Sequence, residues 1–497
     1  MTLISPVVQD CYYFYSKFKT MSDSRNYSIK QLTKIQLKVA RQSRTIMFLF
    51  SAVIAILLVL LLRDSAFTPT QDYVLFLLFF SIGLWITEAI PPFAVGILIV
   101  GFLVFTMGQE NTMDAKRYVQ TWSDGVIWLF LGGFFLAEGM KKTKLDFLLL
   151  KIAAPKFGSQ AQYIILGLMM TTAIISMLMS NTATTAMMIA TVTPLFTQLG
   201  KTSNISKVLV LGIPTAAAIG GMGTIIGSAP NAIAVGALEG IGIKITFIEW
   251  MIIGVPVAFI LIFMFWKILL IKYKIKKETL SLDFLQEEEI QEEEYSEEDK
   301  IRKRIVLIVL VTTLSLWLTS QWTGIPVAAV SGIPIVALTM LGIIDADDVR
   351  SLPWDTLMLV AGGLALGLAI QEQGLADYFI SKISSVDINF YLLLFIFSLT
   401  TVTLSNFMSN TAATTILIPV AISLMSITEG VDPMVLPFVI GLSASCALLL
   451  PVSTPPNAIA YSTGLIEQKE FRIGGIFIGL VGPILIITWT LLYAMIN

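Results

Sequence analysis

The seven residues Met179-Ser180-Asn181-Thr182-Ala183-Thr184-Thr185 return later in the chain, with one change, as Met408-Ser409-Asn410-Thr411-Ala412-Ala413-Thr414. Both copies are rich in side-chain hydroxyls and amides, and both lie inside long apolar stretches. Polar groups in such surroundings are costly unless they have partners. A polar motif placed twice in an apolar chain therefore indicates one site built from two halves.

The composition is that of an integral membrane protein. Of 497 residues, 56% are hydrophobic and 13% are charged, whereas soluble domains carry roughly 25% charged residues. The net charge of −2 gives no sign of nucleic-acid binding. The chain has no histidine, which excludes His-based acid–base and metal chemistry. Its two cysteines, Cys11 and Cys446, give no sign of a disulfide framework.

Charge and hydropathy divide the chain into four parts. Residues 1–44 are polar and basic and predict a cytoplasmic N-terminal arm rather than a cleavable signal peptide. Residues 45–277 form the first membrane half, residues 278–304 an acidic cytoplasmic linker, and residues 305–497 the second membrane half. Since a crossing needs about 20 apolar residues, the apolar runs predict an all-α integral membrane protein with about 11 transmembrane helices.

Each half contains an apolar region that is long enough to cross twice but has the duplicated motif at its centre. We predict re-entrant hairpins at about 160–200 and about 388–428, in which two short helices meet at a polar tip. A further helix in each half is expected to break, at Gly227-Ser228-Ala229-Pro230-Asn231 and at Pro451-Val452-Ser453-Thr454-Pro455-Pro456-Asn457. Landmarks of the two halves are 226 to 232 residues apart, which indicates an internal duplication.

The positive-inside rule orients this duplication by placing residues 1–44 in the cytoplasm. Each repeat has five crossings, so the second repeat is inverted relative to the first. The first hairpin then enters from the cytoplasm and the second from outside, and the C-terminus lies outside. Both polar tips meet near the midplane of the membrane in this arrangement.

Four local predictions concern helix ends and contacts. Residues Val126–Ile152 are expected to form one helix, and Pro437–Leu450 are expected to be helical up to the second break. Asp124 and Asp355 stand where apolar runs begin and are expected to be helix N-caps. The glycine pairs 132–133 and 362–363 favour close helix packing over a ligand-binding loop.

The converging tips and breaks offer only uncharged groups. Helix N-termini attract anions, and carbonyl and side-chain oxygens suit a hard cation such as Na⁺. A dianion in a neutral cavity needs compensating charge, which bound cations would supply. These residues therefore predict a cation-coupled carrier of a small anion. The side chains of the predicted site are Ser180, Asn181, Thr182, Ser228, Ser409, Asn410, Thr411 and Thr454.

At these motifs the sequence resembles the divalent anion/sodium symporter family, the INDY-type dicarboxylate transporters. The resemblance covers roughly residues 45–497. It lies in the paired Ser-Asn-Thr motifs, the paired Pro-Asn breaks, Trp85-Ile86-Thr87-Glu88-Ala89-Ile90-Pro91 and Leu131-Gly132-Gly133-Phe134. The sequence departs from the family at Ala229, where proline is frequent, and at Ser405, where threonine is frequent.

The resemblance implies a homodimer of eleven-helix protomers, each with a scaffold domain and a mobile transport domain. It implies sodium-coupled symport of C4-dicarboxylates such as succinate, malate and fumarate by an elevator motion. Sodium-independent succinate/2-oxoglutarate exchange and transport of citrate or sulfate are the alternatives. Carried over by motif, the substrate carboxylates meet the eight side chains above and Pro455. Sodium ions are implied at Ser176, Ser180, Asn181 and Gly227, and at Ser405, Met408, Asn410 and Ser453.

A membrane-embedded enzyme or receptor is the alternative from a different class. The sequence shows no nucleophile–base set, metal-ligand cluster or phosphate-binding loop that such an activity requires. We therefore expect a transporter in the cell membrane, with Na⁺ as coupling ion and no cofactor. Its expected partners are a small dicarboxylate anion, sodium ions, the lipid bilayer and a second copy of the chain, with no nucleic acid.

Overall fold

A computed structural model gives the fold of the chain, and within the residues it describes that fold contains helices and no β-strand. The described residues are 29–108, 112–200, 203–275, 279–280, 296–375, 378, 389–425 and 432–496. The helices of the first half are α1 Ile29–Leu62, α2 Pro69–Thr87, α3 Pro92–Met107, α4 Thr112–Gln120, α5 Gly125–Lys142, α6 Leu145–Ala153, α7 Ala161–Ser176, α8 Asn181–Leu199, α9 Asn204–Gly220, α10 Ala229–Gly240 and α11 Phe247–Tyr273. The helices of the second half are α12 Glu297–Leu318, α13 Ser320–Thr323, α14 Val327–Met340, α15 Ala346–Ser351, α16 Trp354–Glu372, α17 Phe390–Phe407, α18 Asn410–Met425, α19 Val435–Ser443, α20 Pro455–Ser462 and α21 Gln468–Ile496.

The lengths and hydropathy of these helices are those of a multi-span membrane protein. Eight helices in the described ranges are long and apolar enough to cross a membrane, and five shorter apolar helices accompany them. Helix α1 exposes large apolar side chains such as Leu57, Leu60 and Leu61, which a bilayer would cover. The predicted all-α multi-span class is confirmed. The predicted number of about 11 crossings requires shorter helices, such as α3 and α14, to span as well.

Two predicted polar segments fall partly outside the described residues. Helix α1 begins at Ile29, so the second part of the predicted N-terminal arm is helical and continuous with the first span, while residues 1–28 lie outside the described ranges. Of the predicted acidic linker, residues 278 and 281–295 also lie outside them. Helix α12 begins within that linker, and the side chain of Ser296 caps it by accepting a hydrogen bond from the backbone N–H of Asp299.

Both predicted hairpins are present as pairs of helices that meet at the duplicated motif. In the first, α7 ends at Ser176, the chain turns, and α8 begins at Asn181. The hydroxyl of Ser180 caps α8 by accepting from the N–H of Ala183. In the second pair, α17 and α18 meet in the same way, and Ser409 accepts from the N–H of Ala412. Ser and Asn favour this geometry because their side chains bond to the first free N–H groups of a helix.

The first broken helix consists of α9 and α10 with a non-helical connection, Gly221 to Ser228. The break starts before the predicted Gly227 because it opens with short 3₁₀ turns at the glycine-rich segment. The buried side chain of Asn231 stabilises it by donating to the carbonyls of Gly221, at 2.9 Å, and Thr224, at 2.7 Å. The Thr224 carbonyl also accepts from the N–H of Gly227 at 3.3 Å, and the asparagine adds donors to a segment where the regular α-helical bonds are interrupted.

The second broken helix corrects one helix-end prediction. Helix α19 ends at Ser443 and a 3₁₀ turn ends at Cys446, so the prediction of helix up to Leu450 is wrong. The break is decided by tertiary hydrogen bonds. Asn457 donates to the carbonyl of Leu450 at 3.0 Å, and Asn406 of α17 accepts from the N–H of Leu449 at 2.8 Å. An apolar run carries no sequence signal for bonds of this kind.

Two further local predictions are settled around α5. The single helix Val126–Ile152 is wrong, because α5 ends at Lys142 and Lys144 adopts a left-handed conformation with φ of 51° before α6 begins. Asp124 is the N-cap of α5, as predicted, and accepts from the N–H of Val126 at 2.9 Å. Asp355 is not an N-cap, because α16 already begins at Trp354 and Asp355 lies in its first turn.

The helices pack in two groups. The first contains the hairpins and broken helices: α9 packs against α7, α8, α11 and α20, α10 packs against α18 and α19, and α21 packs against α11 and α19. In the second, α16 packs against α3, α14 against α5 and α12, and α1 against α2. The groups meet where α10 and α18 contact α16 and where α10 contacts α5.

The glycine pairs stand at these contacts, which confirms the prediction of close packing. A Cβ atom added at Gly132 of α5 would lie 2.7 Å from the Cβ of Ser331 in α14, and one at Gly133 would lie 3.3 Å from Ile226 in the first break. Gly132 thus faces the second group of helices, and Gly133 faces the first. The close approach leaves no room for a side chain at Gly132.

The second pair repeats this arrangement. A Cβ atom at Gly362 of α16 would collide with the backbone of Gly96 in α3, and one at Gly363 would lie 2.6 Å from the Cγ2 atom of Thr415 in α18. Gly362 therefore holds α16 against its own group, as Gly132 holds α5. Gly363 and Gly133 are two of the positions where the two groups touch closely.

Candidate substrate and cation site

A cavity of about 570 Å³ lies where the two hairpin tips and the two helix breaks converge. The convergence predicted from the sequence is therefore present, and every residue proposed to meet substrate lines this one cavity. Its size is within the range of small-molecule sites, roughly 300–1,000 Å³. The predicted residues on its wall are Ser180, Asn181, Thr182, Gly227, Ser228, Ser409, Asn410, Thr411, Ser453, Thr454 and Pro455.

Four helices begin at this cavity. Helices α8, α10, α18 and α20 start at Asn181, Ala229, Asn410 and Pro455, and their first residues line it. A helix N-terminus carries unpaired N–H groups and a partial positive charge. Four of them directed at one space create an environment for an anion without a charged side chain.

The hydroxyl and amide side chains at the tips add hydrogen-bond donors. Thr182 and Ser409 are exposed to the cavity. The Ser180 and Ser409 oxygens accept from their own helices, which leaves each hydroxyl hydrogen to donate outward. A carboxylate accepts several such bonds at once. The arrangement is therefore chemically suited to carboxylate groups.

Three predicted residues, Ser176, Ser405 and Met408, lie behind the cavity wall rather than on it. Ser176 and Ser405 are completely buried, and Met408 is 7% exposed. The hydroxyl oxygen of Ser176 lies 2.7 Å from Oδ1 of Asn181 and 2.8 Å from the carbonyl oxygen of Ala217. One hydroxyl carries one hydrogen and cannot donate to both oxygens at the same time. We call these three oxygens the first oxygen cluster.

Glycines complete the surroundings of the first oxygen cluster. A Cβ atom added at Gly221 would collide with Oδ1 of Asn181 and would lie 2.9 Å from the carbonyl oxygen of Gly227. A Cβ atom at Gly227 would lie 2.5 Å from the carbonyl oxygen of Gly221. The absence of side chains therefore lets the amide oxygen approach the carbonyls of the break. Converging oxygens with too few hydrogens fit a hard cation such as Na⁺.

The equivalent residues of the second half differ from the first in their hydrogen bonding. Among the described residues, Oγ of Ser405 and Oδ1 of Asn410 are buried and have no hydrogen-bond partner. Ser453, the third side chain, is bonded to the carbonyl of Leu450 at 2.8 Å. Buried oxygens without a donor are costly, and a cation would offset that cost. We call Ser405, Asn410 and Ser453 the second oxygen cluster.

Comparison with known proteins identifies the family. The profile described as the sodium:sulfate symporter transmembrane region matches residues 43–496. The chain belongs to this family. It is therefore a multi-pass membrane transporter and not an enzyme, which confirms the predicted resemblance and the predicted class of activity. Family membership also implies coupling to sodium.

Curated relatives match over nearly the whole transporter. The sodium-dependent dicarboxylate transporter SdcS of Staphylococcus saprophyticus is 29% identical, over 95% of this chain and 92% of the relative. SdcS of Staphylococcus aureus strain USA300 is 30% identical, over 84% of each chain. An uncharacterised transporter of Haemophilus influenzae is 33% identical, over 87% of this chain and 94% of its own.

Solved structures support the architecture. Neisseria gonorrhoeae MtrF, described with a class of antimetabolite efflux pumps, matches with a TM-score of 0.56 at 11% identity, over 84% of this chain and 97% of its own. The YdaH transporter of Alcanivorax borkumensis matches with a TM-score of 0.51 at 12% identity, over 81% and 98%. At this identity the likeness concerns the fold of the transporter alone.

Sequence reasoning missed the charged side chains of the transporter's cavity. Glu138 and Lys141 of α5 and Asp355 of α16 line it together with the uncharged groups. The signal was available: Phe134, Glu138 and Lys141 follow the Gly132-Gly133 motif at helical spacing and share one face of α5. The sequence places Glu138 beside Lys142 as well, but Lys142 is instead paired with Asp348 of α15.

A second cavity, of about 640 Å³, lies at the opposite ends of the same helices. It is larger but contains none of the duplicated motif residues. Gly236 of α10, Gly363 of α16 and Ile418 of α18 line it, together with Asp124 at the start of α5. Its wall also carries Arg117, which is paired with Glu372 at 3.0 Å. Since α8, α10, α18 and α20 begin at the smaller cavity, the smaller cavity is the better candidate for the transported anion.

Proposed function

We propose that the chain is a sodium-coupled symporter of C4-dicarboxylates such as succinate, malate and fumarate. The observation that supports this most is the cavity at which four helix N-termini and uncharged donors converge in front of two oxygen clusters. Carboxylates at both ends of a short anion would be bound by the two tips, one from each repeat. Two SdcS relatives carry the name of sodium-dependent dicarboxylate transporters.

Roles follow for the residues of the site. The donors of each tip and break bind one substrate carboxylate, and the first and second oxygen clusters each hold one sodium ion behind it. Two cations offset the charge of a dianion, so the loaded site is close to neutral. The proposed substrate residues are Ser180, Asn181, Thr182, Ser228, Ser409, Asn410, Thr411, Thr454 and Pro455. The proposed sodium residues are Ser176, Ser180, Asn181, Gly227, Ser405, Met408, Asn410 and Ser453.

The proposed transport motion is an elevator movement of one helix group against the other. In its support, all four substrate-bearing segments belong to the group of hairpins and broken helices. The other group, with α3, α5, α14 and α16, would be the scaffold. The proposed organisation keeps the predicted boundaries: an arm at 1–44, membrane halves at 45–277 and 305–497, and a linker at 278–304.

The cavity opens toward the end of α5 that carries Lys141 and Lys142. By the positive-inside rule we take this end as cytoplasmic, and we propose an inward-facing state on that ground. The proposal also puts the N-terminus in the cytoplasm and the C-terminus outside. We include a homodimer in the proposal on the ground of the family resemblance.

The test is sodium-gradient-driven uptake of labelled succinate into proteoliposomes. Wild type is expected to accumulate succinate only with an inward sodium gradient. Asn181→Ala and Asn410→Ala should each raise the KM about 10- to 150-fold, since a hydrogen bond to a charged group contributes roughly 1.5–3 kcal/mol. Asn389→Ala is the matched control, because Asn389 caps α17 and does not line the cavity.

The same assay separates the alternatives. Robust succinate/2-oxoglutarate counterflow in sodium-free proteoliposomes would replace the symport proposal by exchange. If unlabelled citrate or sulfate inhibits the uptake more strongly than unlabelled succinate does, that anion would replace succinate as the proposed substrate. Normal uptake by both asparagine variants at normal expression would show that the site is assigned wrongly.

A further inference from the structure

The rim of the substrate cavity carries the charges that its base lacks. The base is formed by uncharged hydroxyls, amides and helix N-termini, whereas Glu138, Lys141 and Asp355 stand toward the cytoplasmic opening. Lys141 is the one basic side chain that the described residues contribute to this wall. Two carboxylates and one ammonium give the rim a net charge of −1, which attracts sodium ions and repels a dianion.

Lys141 is held in place by a weak partner. Its Nζ atom lies 3.1 Å from both carboxylate oxygens of Glu138, one helical turn earlier. The lysine side chain is 59% exposed, while that of Glu138 is 16% exposed. Because the ammonium group of the pair is exposed, water and salt screen it, and ion pairs at this helical spacing contribute little to stability. A carboxylate that arrives from the cytoplasm can therefore replace Glu138 as the partner of Lys141.

The next residue shows what a structural lysine looks like in the same turn. Lys142 is 33% exposed and pairs with Asp348, and at 3.4 Å with Asp345, both outside α5. It does not line the substrate cavity. The two adjacent lysines therefore differ in the property that matters here, which is access to the substrate path.

We infer that Lys141 is the residue that captures and hands over the anion at the inner mouth of the cavity, with Glu138 as its resting partner. This rests on the proposed function. A dicarboxylate that leaves the site first exchanges its bonds to the uncharged donors for an ion pair with Lys141. Glu138 then takes the place of the dicarboxylate beside Lys141, and the dicarboxylate departs. Glu138 prevents the lysine from retaining the anion. The pair thus sets the rates of binding and release at the cytoplasmic face without contributing to the substrate site itself.

The test compares Lys141→Gln, Lys141→Arg and Glu138→Gln with the control Lys142→Gln in inside-out and right-side-out membrane vesicles. At constant sodium and an ionic strength of about 0.01 M, where the Debye length is about 30 Å, Lys141→Gln should raise the inner-face KM for succinate. We expect about a tenfold increase, the low end of electrostatic steering. At about 1 M salt the difference should vanish. Lys141→Arg should restore the wild-type KM, and Glu138→Gln should lower it.

Three results overturn the inference. One is a wild-type inner-face KM for Lys141→Gln at low ionic strength. Another is an equal change of the KM at both membrane faces, which would show that Lys141 does not act specifically at the inner mouth. The third is an equal change in Lys142→Gln, which would show a general effect of surface charge. The failure of the proposed function is distinguishable, since wild type itself would then show no sodium-driven succinate uptake.

Discussion

The substitution Gly221→Ala tests the first oxygen cluster. Its Cβ atom would collide with Oδ1 of Asn181 and would lie 2.9 Å from the carbonyl oxygen of Gly227, in a segment that is completely buried. Overpacking of this kind costs about 1–3 kcal/mol. The neighbour that gives way is the side chain of Asn181, which would lose its position beside Ser176. The oxygens of the cluster would then no longer converge.

If the cluster holds sodium, the free-energy cost of overpacking should appear as weaker sodium binding, because the bound state needs the oxygens to converge. A change of about 1–3 kcal/mol corresponds to a 5- to 150-fold weaker binding. The sodium concentration that half-activates succinate uptake should therefore rise by a factor in that range. Sodium should also raise the melting temperature of the purified protein less than in wild type, since a ligand stabilises in proportion to the logarithm of its concentration over Kd.

The control is Gly332→Ala in α14, where an added Cβ atom has no neighbour within 4 Å. It should leave sodium activation unchanged. Ser176→Ala is the second variant, because it removes one oxygen of the cluster without adding bulk, and it should also weaken sodium activation. Gly221→Ala protein that is monodisperse and retains wild-type sodium activation would refute the assignment of a cation to this cluster.

Three other predictions follow from the fold. Asn231→Ala removes the donor to two buried carbonyls in the first break. It should destabilise the protein by about 2–5 kcal/mol and lower its melting temperature. An unchanged melting temperature would contradict the role of Asn231. Gly363→Ala places a Cβ atom 2.6 Å from Thr415 between the helix groups, so it should lower kcat for transport while succinate still binds. The control Gly101→Ala, with open space around it, should leave kcat unchanged. Equal kcat values for the two variants would argue against movement at this contact. The backbone N–H groups of residues 348 and 347 hold the pKa of Asp345 below its ordinary value. Wild type should therefore be more stable than Asp345→Ala above about pH 4, and this difference should disappear as pH falls further. A pH-independent difference in melting temperature between the two proteins would contradict this prediction.

The parts of the structure that the sequence predicts are those whose cause is local. The hairpins follow from apolar runs that are interrupted by Ser and Asn, which cap helices. The first break follows from a glycine-rich stretch and Pro230. The convergence of the four segments follows from the repeat and its inverted orientation. In each case the residue type itself limits which backbone conformations are favourable.

The parts that escaped prediction are decided by contacts between distant segments. The helix end at Ser443 depends on Asn406 and Asn457, which bond to the backbone of residues 448–450. The turn at Lys144 needs a positive φ, for which lysine is no signal. The place of Lys141 on the cavity wall depends on how α5 lies against the hairpins. Spacing shows that Phe134 and Lys141 share a face, but it does not show what that face meets.

The neutrality of the duplicated motif is explained by the proposed movement rather than by binding alone. An arginine in the site would bind a dicarboxylate strongly, but an elevator must also return empty. A fixed charge in the returning group would have to pass a low-dielectric region, and each elementary charge moved across the membrane potential contributes about 2.3 kcal/mol per 100 mV. With uncharged donors, helix N-termini and two exchangeable cations, the loaded and the empty site are both near neutral, so both can cross. The charges that attract the anion, such as Lys141, are then best placed on a helix of the proposed scaffold, and Lys141 lies on α5, which the proposal assigns to it.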